Sequence, residues 1–138
     1  TNIGYDHTQF LGETLPEIAY EKAGIIKNDI PVVISEKQNE VNDVFLKTAK
    51  EKTAPLFFAE EEVTKKYDSD LLGNYQQNNI KAAVQTIRIL KNKGYKISDT
   101  QIAKGLLHVV QNTGLLGRWQ HLGNNPTVFV IRHIIKKG

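Results

Sequence analysis

The chain has 138 residues, enough for one ordinary domain that buries a core without covalent staples. It contains no cysteine, which excludes a disulfide scaffold, a thiolate metal site and a cysteine nucleophile. A formal charge of +3, scattered apart from Lys136 and Lys137, leaves no nucleic-acid footprint, and no apolar run approaches the roughly 20 residues of a membrane span. The composition, 40% hydrophobic and 24% charged, is that of a globular protein, so the expectation is a cytoplasmic chain handling an acidic or phosphorylated small ligand.

In chain order, "TNIG" reads as the end of a buried strand with nothing before it, and both ends of the chain read as cut. The stretch "YDHTQFLGETLPEIAYEKAGIIK" then places His7 after that strand and Lys22 on a helix. Thr14 is a suitable N-cap, with Pro16 and Glu17 in the first turn, so a helix is expected from Leu15 to Ala23, ending at Gly24. "IPVVIS", Ile30 to Ser35, is a short β-branched run that reads as a buried strand. From Glu40 to Thr53 the apolar residues Val41, Val44, Phe45 and Ala49 follow a helical period, and "APLFFAE" reads as the next strand. Helix, strand, helix, strand in sequence predicts α/β crossovers and a parallel sheet, with the charged stretch Glu60 to Asp70 as a loop or edge segment.

The second half is more helical. From Asn74 to Lys93, Ile80, Ala83, Val84, Ile87 and Leu90 are expected on one buried face, with Gly94 at the end. Ser98 caps a helix through His108 that turns Ile102, Leu106 and Leu107 inward. "GLLGRWQHL" and "PTVFVI" read as a turn and two strands. Taken singly, the polar residues stay ambiguous. An Asp-His pair after a strand is commonly a hydrogen-bonded turn in which Asp6 either orients His7 or caps it. Lys22 on an amphipathic helix is commonly solvated, Gln76 and Asn79 fit a helix start capped by Asn74, and Arg118 beside Trp119 fits a surface cation.

Three blocks, "TNIGYDHTQFLGETLPEIAYEKAGIIK", "LLGNYQQNNIKAA" and "GLLGRWQ", resemble in order and interval the central-domain blocks of the dihydrofolate synthase/folylpolyglutamate synthase family of the Mur-ligase superfamily. The resemblance covers about residues 1–120. It implies an enzyme that joins an amino-acid amine to a carboxylate through an acyl-phosphate made from ATP. It implies that His7 is a magnesium ligand beside the γ-phosphate and that Lys22 is carbamylated to a second ligand, whose two oxygens suit a hard cation. Carbamylation needs a neutral amine, and desolvation or nearby positive charge would supply one. Gln76 and Asn79 match amides that face the adenine or the phosphates, and Gly73 a position of close backbone approach. Arg118 matches an arginine near the ATP phosphates, where a planar, permanently charged fork fits. Tyr75 stands where the family usually has His, Ile80 where it has Ala, and Leu116 where it has Pro. Trp119 is expected to pack rather than to stack on a base.

Two departures matter. No "GxxGK[ST]" loop occurs in the chain, and the family places that loop, with a further magnesium-binding Glu, upstream; this chain alone is therefore expected not to turn over ATP. Where the family continues into an Asp-Thr-Ala-His-Asn block that opens a C-terminal domain, Ile131, Arg132, His133, Ile134 and Ile135 stand instead. Codons for that block read one base late encode Ile-Arg-His-Ile, so a frameshift near residue 130 is expected and His133 is not a site residue.

The resulting expectation is an α/β chain, part of a mostly parallel-sheet Mur-ligase central domain with flanking helices. Residues 1–123 would be the C-terminal portion of the ATP-binding ligase domain and 124–138 a linker with an aberrant start of the next domain. Its function would be ATP-dependent addition of L-glutamate to folates, and to dihydropteroate, with Lys22 and Arg118 catalytic, Gln76, Asn79 and Arg118 on the nucleotide, and His7 and Lys22 on Mg²⁺. Exposed sheet edges would favour a homodimer. The rival expectations are another Mur-type amide ligase, for cell-wall peptide or cyanophycin, and a folded chain without catalysis.

Overall fold

A computed structural model describes residues 3–4, 12–115, 119–124 and 127–131, with side chains described through residue 115. The chain divides into two compact units, one of residues 1–66 and 77–96 and one of residues 67–76 and 97–138.

In the first unit, helix α1 (Leu15–Ala23) starts where the sequence predicts, with Thr14 as its N-cap. The Thr14 hydroxyl accepts from the Glu17 N–H at 3.4 Å while Glu17 Oε2 accepts from the Thr14 N–H at 3.0 Å, a reciprocal capping box, with Pro16 in the first turn. Ile18, Ala19 and Ala23 form its buried face. Strand β1 (Val32–Ile34) follows, then α2 (Asn42–Glu51) and β2 (Leu56–Phe58). The two strands pair in parallel, Val32 opposite Leu56 and Ile34 opposite Phe58, as the alternation of helix and strand predicts. Ile3, Ile18, Ala19, Ala23, Ile26, Val41, Phe45, Ala49 and Ala54 form the core, flanked by Val32, Ile34 and Leu56 from the strands.

Several expectations are corrected. β1 is half-buried along its length rather than buried, with Val32 and Ile34 packed at the margin of the core. The "APLFFAE" strand stops at Phe58, and Ala59–Glu62 turns into a short helix, α3, whose Glu60, Glu61 and Glu62 meet the positive end of its dipole. The expected loop therefore begins with helix; from Val63 to Tyr75 there is no regular element. Helix α4 (Gln76–Asn92) buries an arc through Ile80, Val84 and Gln85, which turns Ala83 outward and leaves Ile87 and Leu90 half-buried. The Arg88 guanidinium donates to the Glu62 carbonyl at 2.7 Å and so ties α4 to the end of α3.

In the second unit, Ser98 and Gln101 form a capping box on α5 (Asp99–Leu107). Its buried anchor is Ile102, with Leu106 half-buried one turn on; Leu107, expected inward, is 46% exposed because it falls about 140° around the helix from Ile102. A further short helix, α6 (Val109–Thr113), has no counterpart in the sequence reading. Its first two N–H groups donate to the two oxygens of the Asp70 carboxylate, at 3.0 and 2.9 Å. Strands β3 (Trp119–Asn124) and β4 (Thr127–Ile131) pair antiparallel, with a register shift between His121 and Gly123. Among the described residues, no helix is long and apolar enough to cross a membrane.

Two stability predictions follow from the core and from the end of α2. Ile18 is fully buried, so Ile18→Ala should lower unfolding free energy by about 3 kcal/mol in urea denaturation. Thr53 sits at φ +50° where the Ala54 N–H closes back on the Ala49 carbonyl at 2.8 Å, a left-handed position poorly suited to a β-branched residue. Thr53→Gly should therefore raise stability by about 1 kcal/mol in the same measurement.

Candidate functional site

Lys22 lies in the last turn of α1, half-buried, on the wall of a cavity of about 310 Å³. Among the described residues, the other wall residues are Ile3, Ile25, Ile26, Val32, Val33, Ile34 and Phe45, all apolar. Helix phase explains the placement: Ile18, Ala19 and Ala23 pack inward, and Lys22, one turn beyond Ile18, comes off the border of that buried face. Ile3, 5% exposed, shares both this cavity and the core, and four positions further along the chain is His7. His7 and Asp6 lie outside the described residues, as does Arg118.

A polar rim occupies the carboxyl ends of the parallel strands, the edge at which open α/β sheets bind ligands. After β1, Ser35 is buried and Glu36 accepts from Asn78 Nδ2 of α4 at 3.3 Å. The Lys37 N–H donates to Glu60 at 2.8 Å, its ammonium bonds Glu61 at 2.8 Å, and it stands 5.4 Å from the centre of the Phe58 ring. The hydrogen bond and charge of Glu61, with a smaller contribution from Glu60, hold the Lys37 ammonium above its ordinary pKa of 10.5. Next comes Gln38, whose side-chain amide accepts from the Ile3 N–H at 2.7 Å and donates to the Ile3 carbonyl at 2.9 Å. At the opposite end of α1, hydrogen bonds from the Thr14 backbone, the Thr14 hydroxyl and the Glu13 backbone hold the Glu17 carboxyl below its ordinary 4.5.

The amide pair is placed unequally. Gln76 opens α4 and is 9% exposed, whereas Asn79, one turn on, is exposed. Gly73 precedes them at φ +110°, and the Gln76 N–H donates to its carbonyl at 3.0 Å. The Tyr75 ring lies so close over Gly73 that an added Cβ would meet it at 2.6 Å. The neighbouring Asn78 donates to Glu36. Sequence reasoning missed Asn78, Glu36 and Gln38. The first two are common surface types in a polar run, and Gln38 bonds a residue 35 positions away, which no local pattern signals. Among the described residues, no three His, Asp or Glu side chains are gathered to hold a metal.

The architecture, a small parallel sheet with flanking helices, matches solved structures of the Mur-ligase fold. No protein-family model matches the chain. It is 34% identical over 116 residues to the dihydrofolate synthetase of Saccharomyces cerevisiae, covering 84% of this chain and 26% of that protein. It is 29% identical over 153 residues to the dihydrofolate synthase/folylpolyglutamate synthase of Bacillus subtilis, covering 94% of this chain and 35% of that protein. A solved folylpolyglutamate synthase–AMPPCP–folate complex superposes with a TM-score of 0.78 at 22% identity, covering 93% of this chain and 36% of that one. The chain belongs to the dihydrofolate synthase/folylpolyglutamate synthase family. It spans 26% and 35% of the length of the two curated relatives.

Gly73 gives a direct test of the turn before α4. Gly73→Ala combines a left-handed φ with the clash on Tyr75 and should cost about 1–3 kcal/mol, read by thermal unfolding at neutral pH.

Proposed function

We propose that this chain forms part of the central ATP-binding domain of a cytoplasmic ligase that adds L-glutamate to folates, and to dihydropteroate. Residues 1–123 would belong to that domain and 124–138 to a linker. Membership of the family supports the reaction class, and the relatives' names and the AMPPCP and folate in the solved complex support ATP and folate as substrates. The observation that carries the assignment of chemistry to residues is that Ile3, at the start of the His7 block, and Lys22 line one cavity.

In the proposed reaction a carboxylate oxygen of the folate attacks the γ-phosphorus of ATP, the bond to the bridging oxygen breaks, and ADP leaves. The amine of glutamate then attacks the acyl carbon, the acyl–oxygen bond breaks and phosphate departs. Mg²⁺ would neutralise phosphate charge, and its preference for hard oxygen ligands sets the requirement on Lys22. An ammonium cannot ligate it, while a carbamate on the same stem offers two oxygens; by the family resemblance Lys22 would serve as that carbamate, with His7 as the companion ligand. Arg118 would steady the moving phosphoryl group, and Gln76 and Asn79 would hold the nucleotide through amides that donate and accept. The chain contains no Gly-rich phosphate loop with its Lys, so by itself it turns over no ATP. Association of two copies through the edges of the β1–β2 sheet would accompany this arrangement.

The test replaces the matching segment of the Bacillus subtilis relative with this chain and follows ATP-dependent incorporation of labelled glutamate into folate. The graft should turn over, the 138-residue chain alone should not, and Lys22→Ala in the graft should cut the rate by on the order of a hundredfold. In isotope-labelled bicarbonate, NMR should show a carbamate signal that Lys22→Ala removes. A graft that keeps its full rate after Lys22→Ala, or a carbamate signal that survives the substitution, would sink the assignment.

A further inference from the structure

We propose that the outward groove between α1 and α2 docks a basic amphipathic helix of a partner protein. The groove measures about 630 Å³, and Pro16 and Tyr20 from α1 and Val44 from α2 form an apolar strip along it. Glu13, Glu17 and Glu21 border that strip, and no cation stands among the described wall residues.

Helix phase separates this face from the one that carries Lys22. Tyr20 falls about 200° around α1 from the fully buried Ile18 and about 160° from Lys22, so the groove lies across the helix from the Lys22 cavity. That phase leaves the Tyr20 ring 69% exposed. An exposed aromatic ring set in further apolar surface and rimmed by charge has the make-up of a protein-binding patch.

The charge selects the occupant. The chain carries a formal +3, yet this face gathers three carboxylates. Their duties differ. Glu17 Oε2 accepts from the N–H groups of Glu13 and Thr14 and is committed to the start of α1. Among the described residues, the side chains of Glu13 and Glu21 have no hydrogen-bond or ion-pair partner. Eight positions apart, they stand roughly 12 Å from one another in helical rise, too far to share one metal ion or one ammonium group. A helix that carries Lys or Arg two turns apart, with Leu or Ile between them, matches both the carboxylate spacing and the strip from Tyr20 to Val44. Opposite charge steers the encounter, and apolar contact at Tyr20 supplies the affinity.

The experiment uses the 138-residue chain and, as probe, a fluorescein-labelled peptide of two KLAKLAK repeats, followed by fluorescence anisotropy at low and at physiological salt. The basic peptide should bind saturably, and its counterpart with Glu in place of every Lys should not. Tyr20→Ser should weaken binding by on the order of tenfold. Glu13→Gln with Glu21→Gln should weaken it by on the order of tenfold at low salt and flatten its salt dependence. All three side chains are exposed and Glu17 is kept, so the cap and the core stay intact. The control pair Glu40→Gln with Glu51→Gln, exposed but outside the groove, should bind as the wild-type chain does. No saturable binding overturns the proposal. Undiminished binding by Tyr20→Ser, equal weakening by the control pair, or displacement of the peptide by spermine at matched charge reduces the effect to diffuse charge attraction and overturns it too. A dimer in sedimentation of the peptide-free chain that Tyr20→Ser dissociates assigns the groove to a second copy instead, again against the proposal.

Discussion

The parallel pairing of β1 with β2 is the constraint on which the first unit depends. Parallel neighbours cannot be joined by a tight hairpin, so the chain must leave the end of one strand and return to the start of the other through a crossover. Here α2 makes that crossover and brings Phe45 and Ala49 into the core with Ile18 and Ala23 of α1. The same constraint puts both strand carboxyl ends on one edge. The polar side chains that follow each strand, Glu36 to Gln38 after β1 and Glu60 and Glu61 within α3, consequently meet there as a rim.

The rim and the cavity show how the unit separates tasks. Apolar side chains from Ile26, the β1 strand and Phe45 line the cavity beside Lys22. Polar groups stand where the strands end, and they lock one another: Lys37 between Glu60 and Glu61, Asn78 on Glu36, and Gln38 on Ile3. Exposed ion pairs such as that of Lys37 contribute little to stability. The Gln38 bonds differ, because they serve backbone groups of a residue in the core, where an unmet donor or acceptor is costly.

Much of the first unit was legible because its signals are local. The Thr14 cap, Pro16 and Glu17 in the first turn, and the spacing of Val41, Phe45 and Ala49 act within a turn or two of helix, and they place α1 and α2 at or near the observed limits. The reading went astray where a longer-range preference decided. Ala59 and Glu60 extend an apolar run that looks like strand, yet the chain turns to helix there and is held by Arg88 from α4. The α6 helix depends on Asp70, 39 residues upstream of Val109, and Ala83 and Leu107 face outward because packing partners select which arc of each helix is buried.

By itself the sequence determined the family, through blocks whose wording survives without any structure, and the identity of the elements, through caps and periodicity that depend on near neighbours. Only the tertiary structure decided that Ile3 and Lys22 share a cavity, that Asn78 reaches Glu36, and that Gln38 closes on Ile3. The physical reason is one of range. Capping and helical phase are fixed by bonds spanning three or four residues, whereas contacts across 35 or 42 positions exist only once the parallel strands and their crossover have brought distant segments together.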